Sequence, residues 1–116
     1  MNRQILFFST LLLFAGTAYG ATANLTTTVT RLLSDETLFG GCMAQLADRP
    51  DSLGLVCKKD WVSFSCTGDF ASLNVANRNF ELAQIASLTD ASVRVFFDDT
   101  RKHNGYCYAY RIHLIP

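Results

Sequence analysis

The chain has 116 residues, with 10 basic and 10 acidic side chains, two histidines and four cysteines. Residues 21–116 carry 9 basic against 10 acidic residues, a balance that points away from nucleic acid and from an anionic membrane surface. That length allows one small domain, and an apolar fraction of 49% with nine Phe and four Tyr excludes a disordered chain.

The first element is a leader. Arg3 supplies a positive charge, and Ile5 to Ala15 is an apolar run broken only by Ser9 and Thr10. Ala18-Tyr19-Gly20 then places small residues where a signal peptidase reads. The run is about 11 residues, shorter than the roughly 20 that a spanning helix needs. The pattern predicts a signal peptide over residues 1–20, cut after Gly20, with a cut after Ala23 as the alternative. The expected location is secreted or periplasmic, with no membrane span after cleavage and residues 21–116 as a single domain.

Asn24 to Leu33 is rich in Thr and Val and predicts a strand with Leu25, Thr27, Val29 and Leu33 on one face. Arg31 breaks that pattern. Ser34-Asp35-Glu36 marks a turn. Thr37 to Leu46 resumes an extended pattern, in which Gly40-Gly41 suggests a bulge or a close backbone approach. Ala47 to Gly54 reads as a loop. In Trp61 to Cys66, Val62, Phe64 and Cys66 alternate with Ser63 and Ser65, the pattern of a half-buried strand.

Asn74 to Leu88 predicts a helix capped by Asn74 or Asn77. Its expected buried face is Val75, Leu82, Ile85, Ala86 and Leu88, with Glu81 and Gln84 pointing away. Val93, Val95 and Phe97 alternate in a fourth strand. Asp98 to Gly105 is a polar turn whose Asn104-Gly105 supplies positive backbone angles. Tyr106 to Ile115 closes the chain as a strand, with Tyr106, Tyr108, Tyr110, Ile112 and Leu114 on one face and Cys107, Ala109, Arg111 and His113 on the other.

The four cysteines, Cys42, Cys57, Cys66 and Cys107, predict two disulfides in an exported domain of this size. None lies at the short spacing of a metal site. A local hairpin around the 47–54 loop favours Cys42–Cys57, which leaves Cys66–Cys107. The order β-β-β-α-β-β fits a mainly β fold, an OB-like five-stranded Greek-key barrel. An α+β sheet with one covering helix is the alternative.

Two segments carry a resemblance. Trp61-Val62-Ser63-Phe64-Ser65-Cys66, and Asp98-Asp99 through Lys102, Asn104-Gly105, Cys107, Ala109 and Arg111-Ile112, resemble a family of small exported bacterial proteins. Its members pair a Trp-Val-Ser-Phe-x-Cys strand with an Asp-Asp-x-x-Lys-x-Asn-Gly-x-Cys-x-Ala-x-Arg-Ile hairpin. The resemblance implies a compartment and a fold but no chemistry. The element order is also similar to the B subunits of bacterial B-pentamer toxins, exported disulfide-bonded OB folds that bind glycans.

His103 is the best candidate for acid–base work, with Asp98 or Asp99 to orient it. His113 stands alone beside Arg111. Asp98-Asp99 lacks the further oxygen ligands of a calcium loop and is followed by Arg101 and Lys102, so no metal and no cofactor is expected. Tyr106, Tyr108 and Tyr110 present flat apolar faces with polar tips, suited to a sugar or protein surface. Asn24-Leu25-Thr26 matches a glycosylation acceptor, which reads as chance given the bacterial source that the resemblance implies. The sequence therefore predicts a non-enzymatic binding module for a glycan or protein, with homo-oligomer formation open. Its expected contact residues are Asp98, Asp99, Arg101, Lys102, His103, Tyr106 and Tyr108. The alternative is a small secreted hydrolase using His103 with Asp98 or Asp99.

Overall fold

The computed structural model describes residues 21–116; the expected leader lies outside them. The described residues form five strands, β1 (Thr22–Ser34), β2 (Cys42–Leu46), β3 (Trp61–Ser63), β4 (Ser92–His103) and β5 (Tyr106–Ile115), with helix α1 (Leu73–Thr89) between β3 and β4. Branched Thr and Val side chains suit the pleat of β1, which is long enough to pair twice. Its first half, Thr22–Thr28, pairs antiparallel with β4, and Val29–Ser34 pairs antiparallel with β2. β2 pairs with β3, β3 runs parallel to β5, and β5 returns antiparallel to β4. Every strand thus has two partners, and the sheet closes in the order β1-β2-β3-β5-β4. Closure leaves no unpaired edge among these strands, unlike the open sheet of the alternative expectation.

Two bulges decide which side chains face inward. The register of β1 shifts between Val29 and Arg31, which is why Arg31 breaks the sequence pattern. Past the bulge Leu32 packs on the core, while Leu33, expected beside Val29, crosses to the outer side opposite Met43. In β5, Phe96 pairs with Arg111 and Phe97 with Ala109, so Tyr110 is the extra residue. Cys107 and Ala109 point inward before it, and Ile112 and Leu114 after it. The expected single face from Tyr106 to Leu114 is therefore broken at Tyr110.

The core is built from Val29, Ala44, Leu46, Val62, Phe64, Val93, Val95, Phe97, Ala109 and Ile112. Helix α1 contacts β1, β2, β4 and β5, so it lies across one end of the barrel rather than along a wall. Its buried residues are Ala76, Ala83 and Ala86, with Phe80 and Leu82 packed beside them. Ile85 is 45% exposed and Leu88 85%, which corrects the expected face. Small residues let the helix axis approach the strand ends closely, and that steric demand outweighs the greater hydrophobicity of Ile and Leu. The cap is also different: Ser72 Oγ accepts from Val75 N at 3.3 Å, rather than Asn74 or Asn77. Asp90, left-handed at φ 56°, ends the helix.

Residues 37–41 are not strand. Phe39, Gly40 and Gly41 have φ of 58°, 75° and 89°, and three successive left-handed residues form a tight 3₁₀ turn instead of a bulge. The close approach expected at Gly40 is real: a Cβ there would collide with Ser63 Oγ and the His103 ring.

The disulfides are Cys42–Cys66 and Cys57–Cys107, not the expected Cys42–Cys57 and Cys66–Cys107. Register explains the exchange. The antiparallel match of Met43 with Ser63, and the Phe64 N–H donating to Cys42 O, bring Cys42 beside the chain leaving β3. The parallel match of Val62 with Cys107 puts Cys107 level with the middle of β3, far from Cys66. The approach to β3 runs beside the β4–β5 turn, where Lys58 N donates to Gly105 O at 2.9 Å, and this delivers Cys57 to Cys107.

Candidate binding site

The β4–β5 hairpin turns at Asn104-Gly105, with φ of 56° and 88°, the two-residue turn the sequence predicts. The polar stretch before it is strand, not loop. Asp98 pairs with Tyr108 and Lys102 with Cys107, so Asp99, Thr100 and Arg101 bulge out with no partner on β5.

Asp98 organises that bulge. Its carboxylate accepts from Thr100 N at 2.7 Å, Thr100 Oγ1 at 2.6 Å, and Arg101 Nε and Nη2 at 3.0 and 2.9 Å. Burial pushes its pKa up, but the bonds from Thr100 and Arg101 together hold it below the ordinary aspartate value. Asp99 accepts from Ala21 N at 2.7 Å and Val56 N at 3.0 Å, and these bonds hold its carboxyl low. Lys102 Nζ donates to Val56 O at 3.0 Å. Arg101 also covers the Tyr108 ring at 4.8 Å, and Phe70 lies 5.5 Å from it on another side. Tyr108 is only 3% exposed, and burial pushes its hydroxyl pKa up. The structure thus engages Asp98, Asp99, Arg101, Lys102 and Tyr108 with the protein itself.

His103 sits in a different company from the one expected. Its Nε2 is 3.0 Å from Ser65 Oγ, its Nδ1 is 3.9 Å from Asp69 Oδ2, and the Phe70 ring packs on it at 4.6 Å. Asp98 and Asp99 are committed elsewhere. Ser65 is left-handed at φ 61° and fully buried, and its Oγ also accepts from Phe70 N at 3.0 Å. Burial lowers the His103 pKa, with Asp69 pulling the other way. Serine, histidine and aspartate in this order suggest acyl transfer. Here the Asp69 contact exceeds hydrogen-bond length, and the serine oxygen is sealed from any substrate carbonyl. What the cluster does chemically is pin the 64–70 turn to the hairpin.

Beside it lies an open cleft of about 150 Å³ lined by Leu33, Phe39, Met43, Trp61 and Tyr106. Each wall has a local cause. The β1 bulge turns Leu33 outward, and Met43 pairs opposite it. Trp61 opens β3, and Tyr106 follows the hairpin turn. Phe39 reaches the cleft because its backbone is left-handed, a genuine outlier for a bulky residue. Its carbonyl is held by Ser63 Oγ at 2.7 Å, and its ring meets Tyr106 edge-on at 5.7 Å. Lys58 Nζ lies 5.3 Å from the Tyr106 ring centre at the rim. The 39–40 turn therefore touches both the cleft and His103.

Of the residues singled out from sequence, Tyr106 alone lines this cleft. Trp61, Phe39 and Lys58 went unnoticed as site residues. The usable signal for Phe39 was its neighbour: a large aromatic directly before Gly-Gly sits where the backbone must turn sharply. Farther from the β4–β5 turn, Arg111 lies 5.1 Å from the Phe96 ring and 5.9 Å from that of Tyr110, and His113 packs 5.0 Å from Phe96.

No family model, curated protein or solved structure matches this chain. Among the described residues no group of three or more His, Cys, Asp or Glu could hold a metal ion, and no helix is long and apolar enough to cross a membrane.

Proposed function

We propose that this chain is an exported, non-enzymatic binding module with an OB-like barrel, and that it holds a sugar ring of a glycan in the Phe39–Trp61–Tyr106 cleft. One observation carries the reading: three aromatic side chains on three separate segments wall one small open cleft. Flat apolar faces with polar edges suit the two faces of a pyranose ring. OB-type barrels take ligands on the face of their second and third strands, and Met43 of β2 and Trp61 of β3 belong to this cleft. The similarity in element order to toxin B subunits supports the same ligand class. Export is supported by the leader pattern of residues 1–20 and by two disulfides, which persist in oxidising compartments.

A glycan array probed with the oxidised protein tests this. Binding to a defined glycan that falls at least tenfold in Trp61→Ala and in Tyr106→Ala is the expected result. Binding that survives both changes would sink the assignment of the cleft. The alternative, a secreted hydrolase using His103, has no accessible nucleophile in its support: Ser65, the hydroxyl at hydrogen-bond distance, is fully buried. Turnover on an ester or glycoside panel that disappears in His103→Ala would overturn the binding module.

A further inference from the structure

We propose that Ala21 is the first residue of the working protein and that its free α-ammonium group is clamped by the Asp99 carboxylate. This rests on the export reading and adds to it a maturation site and a reason for its position. Ala21 N lies 2.7 Å from Asp99 Oδ1, and Asp99 N donates back to Ala21 O at 3.1 Å. The second carboxylate oxygen accepts from Val56 N at 3.0 Å. One side chain thus ties the start of β1 to the segment that leads to Cys57.

As a peptide nitrogen, Ala21 N carries a single hydrogen. Hydrolysis of the Gly20–Ala21 bond adds water at the Gly20 carbonyl, which leaves as a carboxylate. The freed amine takes up a proton to become –NH₃⁺. The existing contact then becomes a charge-assisted bond, already at the length such bonds prefer. Nothing in the described residues has to move for this to happen.

The alternative cut after Ala23 has no such outcome. Thr22 pairs with Asp98 and Ala23 with Phe97, and Ala23 packs against the core. Losing residues 21–23 would strip those partners from β4 and leave Asp99 without its Ala21 donor. The charges that face the pair are Lys102, which favours the ionised carboxylate, and Asp98, which opposes it. Asp98 is itself neutralised by Arg101, so the field at the N-terminus is set mainly by Asp99.

The test uses the full chain expressed in an export-competent bacterial host. Intact mass of the exported form should correspond to a start at Ala21. The Ala21 ¹³Cα shift, followed by NMR as a function of pH, should report an α-amine pKa about half to one unit above the ordinary 7.7–8.0. Asp99→Asn, which keeps an acceptor but loses the charge, should return it to the ordinary range. A start at Asn24, or an unshifted amine in the wild-type protein, overturns the clamp while leaving export intact. Retention of residues 1–20 on all of the protein overturns the export reading and the clamp with it.

Discussion

Asp98 separates a structural reading of the hairpin from a recognition reading. Asp98→Ala removes the acceptor for Thr100 N, the Thr100 hydroxyl and two Arg101 nitrogens. Asp98 is 7% exposed, but Thr100 is itself exposed in the bulge, so its freed amide regains water and the loss lies at the low end of the range for a hydrogen bond, about 1 kcal/mol. The ion pair itself adds less. The Arg101 side chain is 42% exposed, so the guanidinium can turn to solvent, and its loss belongs with surface pairs at about 0–1 kcal/mol. The expected total is about 1–2 kcal/mol, or roughly 5–15 °C in Tm for a domain of this size. Asp98→Asn keeps one oxygen for Thr100 and should cost only about 0.5 kcal/mol. Because the folded carboxyl lies below its ordinary value near 3.8, its contribution is present above that pH and is lost as pH falls through the folded pKa. The Asn variant should therefore lose less stability than wild type on acidification below about pH 4. Calorimetry with the disulfides intact gives both quantities. Melting temperatures of both variants within about 2 °C of wild type would refute the reasoning and return Asp98 to the pool of ligand contacts.

The helix face is checked by a pair of changes: Ala83→Asp should cost several kcal/mol by placing a charge against the barrel end, whereas Ile85→Asp should shift stability by less than about 0.5 kcal/mol, both read from urea melts. His103 is held neutral by burial, its folded pKa below the ordinary 6.5. Its contribution is complete above that value and declines as pH falls through the folded pKa. Stability measured between pH 7 and 5 should fall in wild type and stay flatter in His103→Gln. A non-reduced digest analysed by mass spectrometry should yield Cys42–Cys66 and Cys57–Cys107 peptides. The second closes 50 residues, worth about 4 kcal/mol on the chain-entropy estimate, so Cys57→Ser/Cys107→Ser should be the more damaging double variant.

Local chemistry was legible in the chain itself. Asn104-Gly105 announces a two-residue turn because only such residues take two positive φ angles easily, and alternation in Val93–Phe97 marks a half-buried strand wherever that strand ends up. Four cysteines in a small domain with a leader pattern announce two bridges, since the count depends on compartment and size. Pairing does not follow from such rules. Which cysteine meets which was decided by the parallel match of β3 with β5, a contact between segments more than forty residues apart. The bulges at Thr30 and Tyr110 reversed the inward face partway along two strands, and a period of two cannot reveal where it is interrupted. Hydropathy ranked Ile85 and Leu88 above Ala76 and Ala83, yet it is the alanines that are buried where the helix meets the barrel end. The cleft follows the same logic. Leu33, Phe39, Met43, Trp61 and Tyr106 are scattered over five segments, and only closure of the barrel brings them to one place.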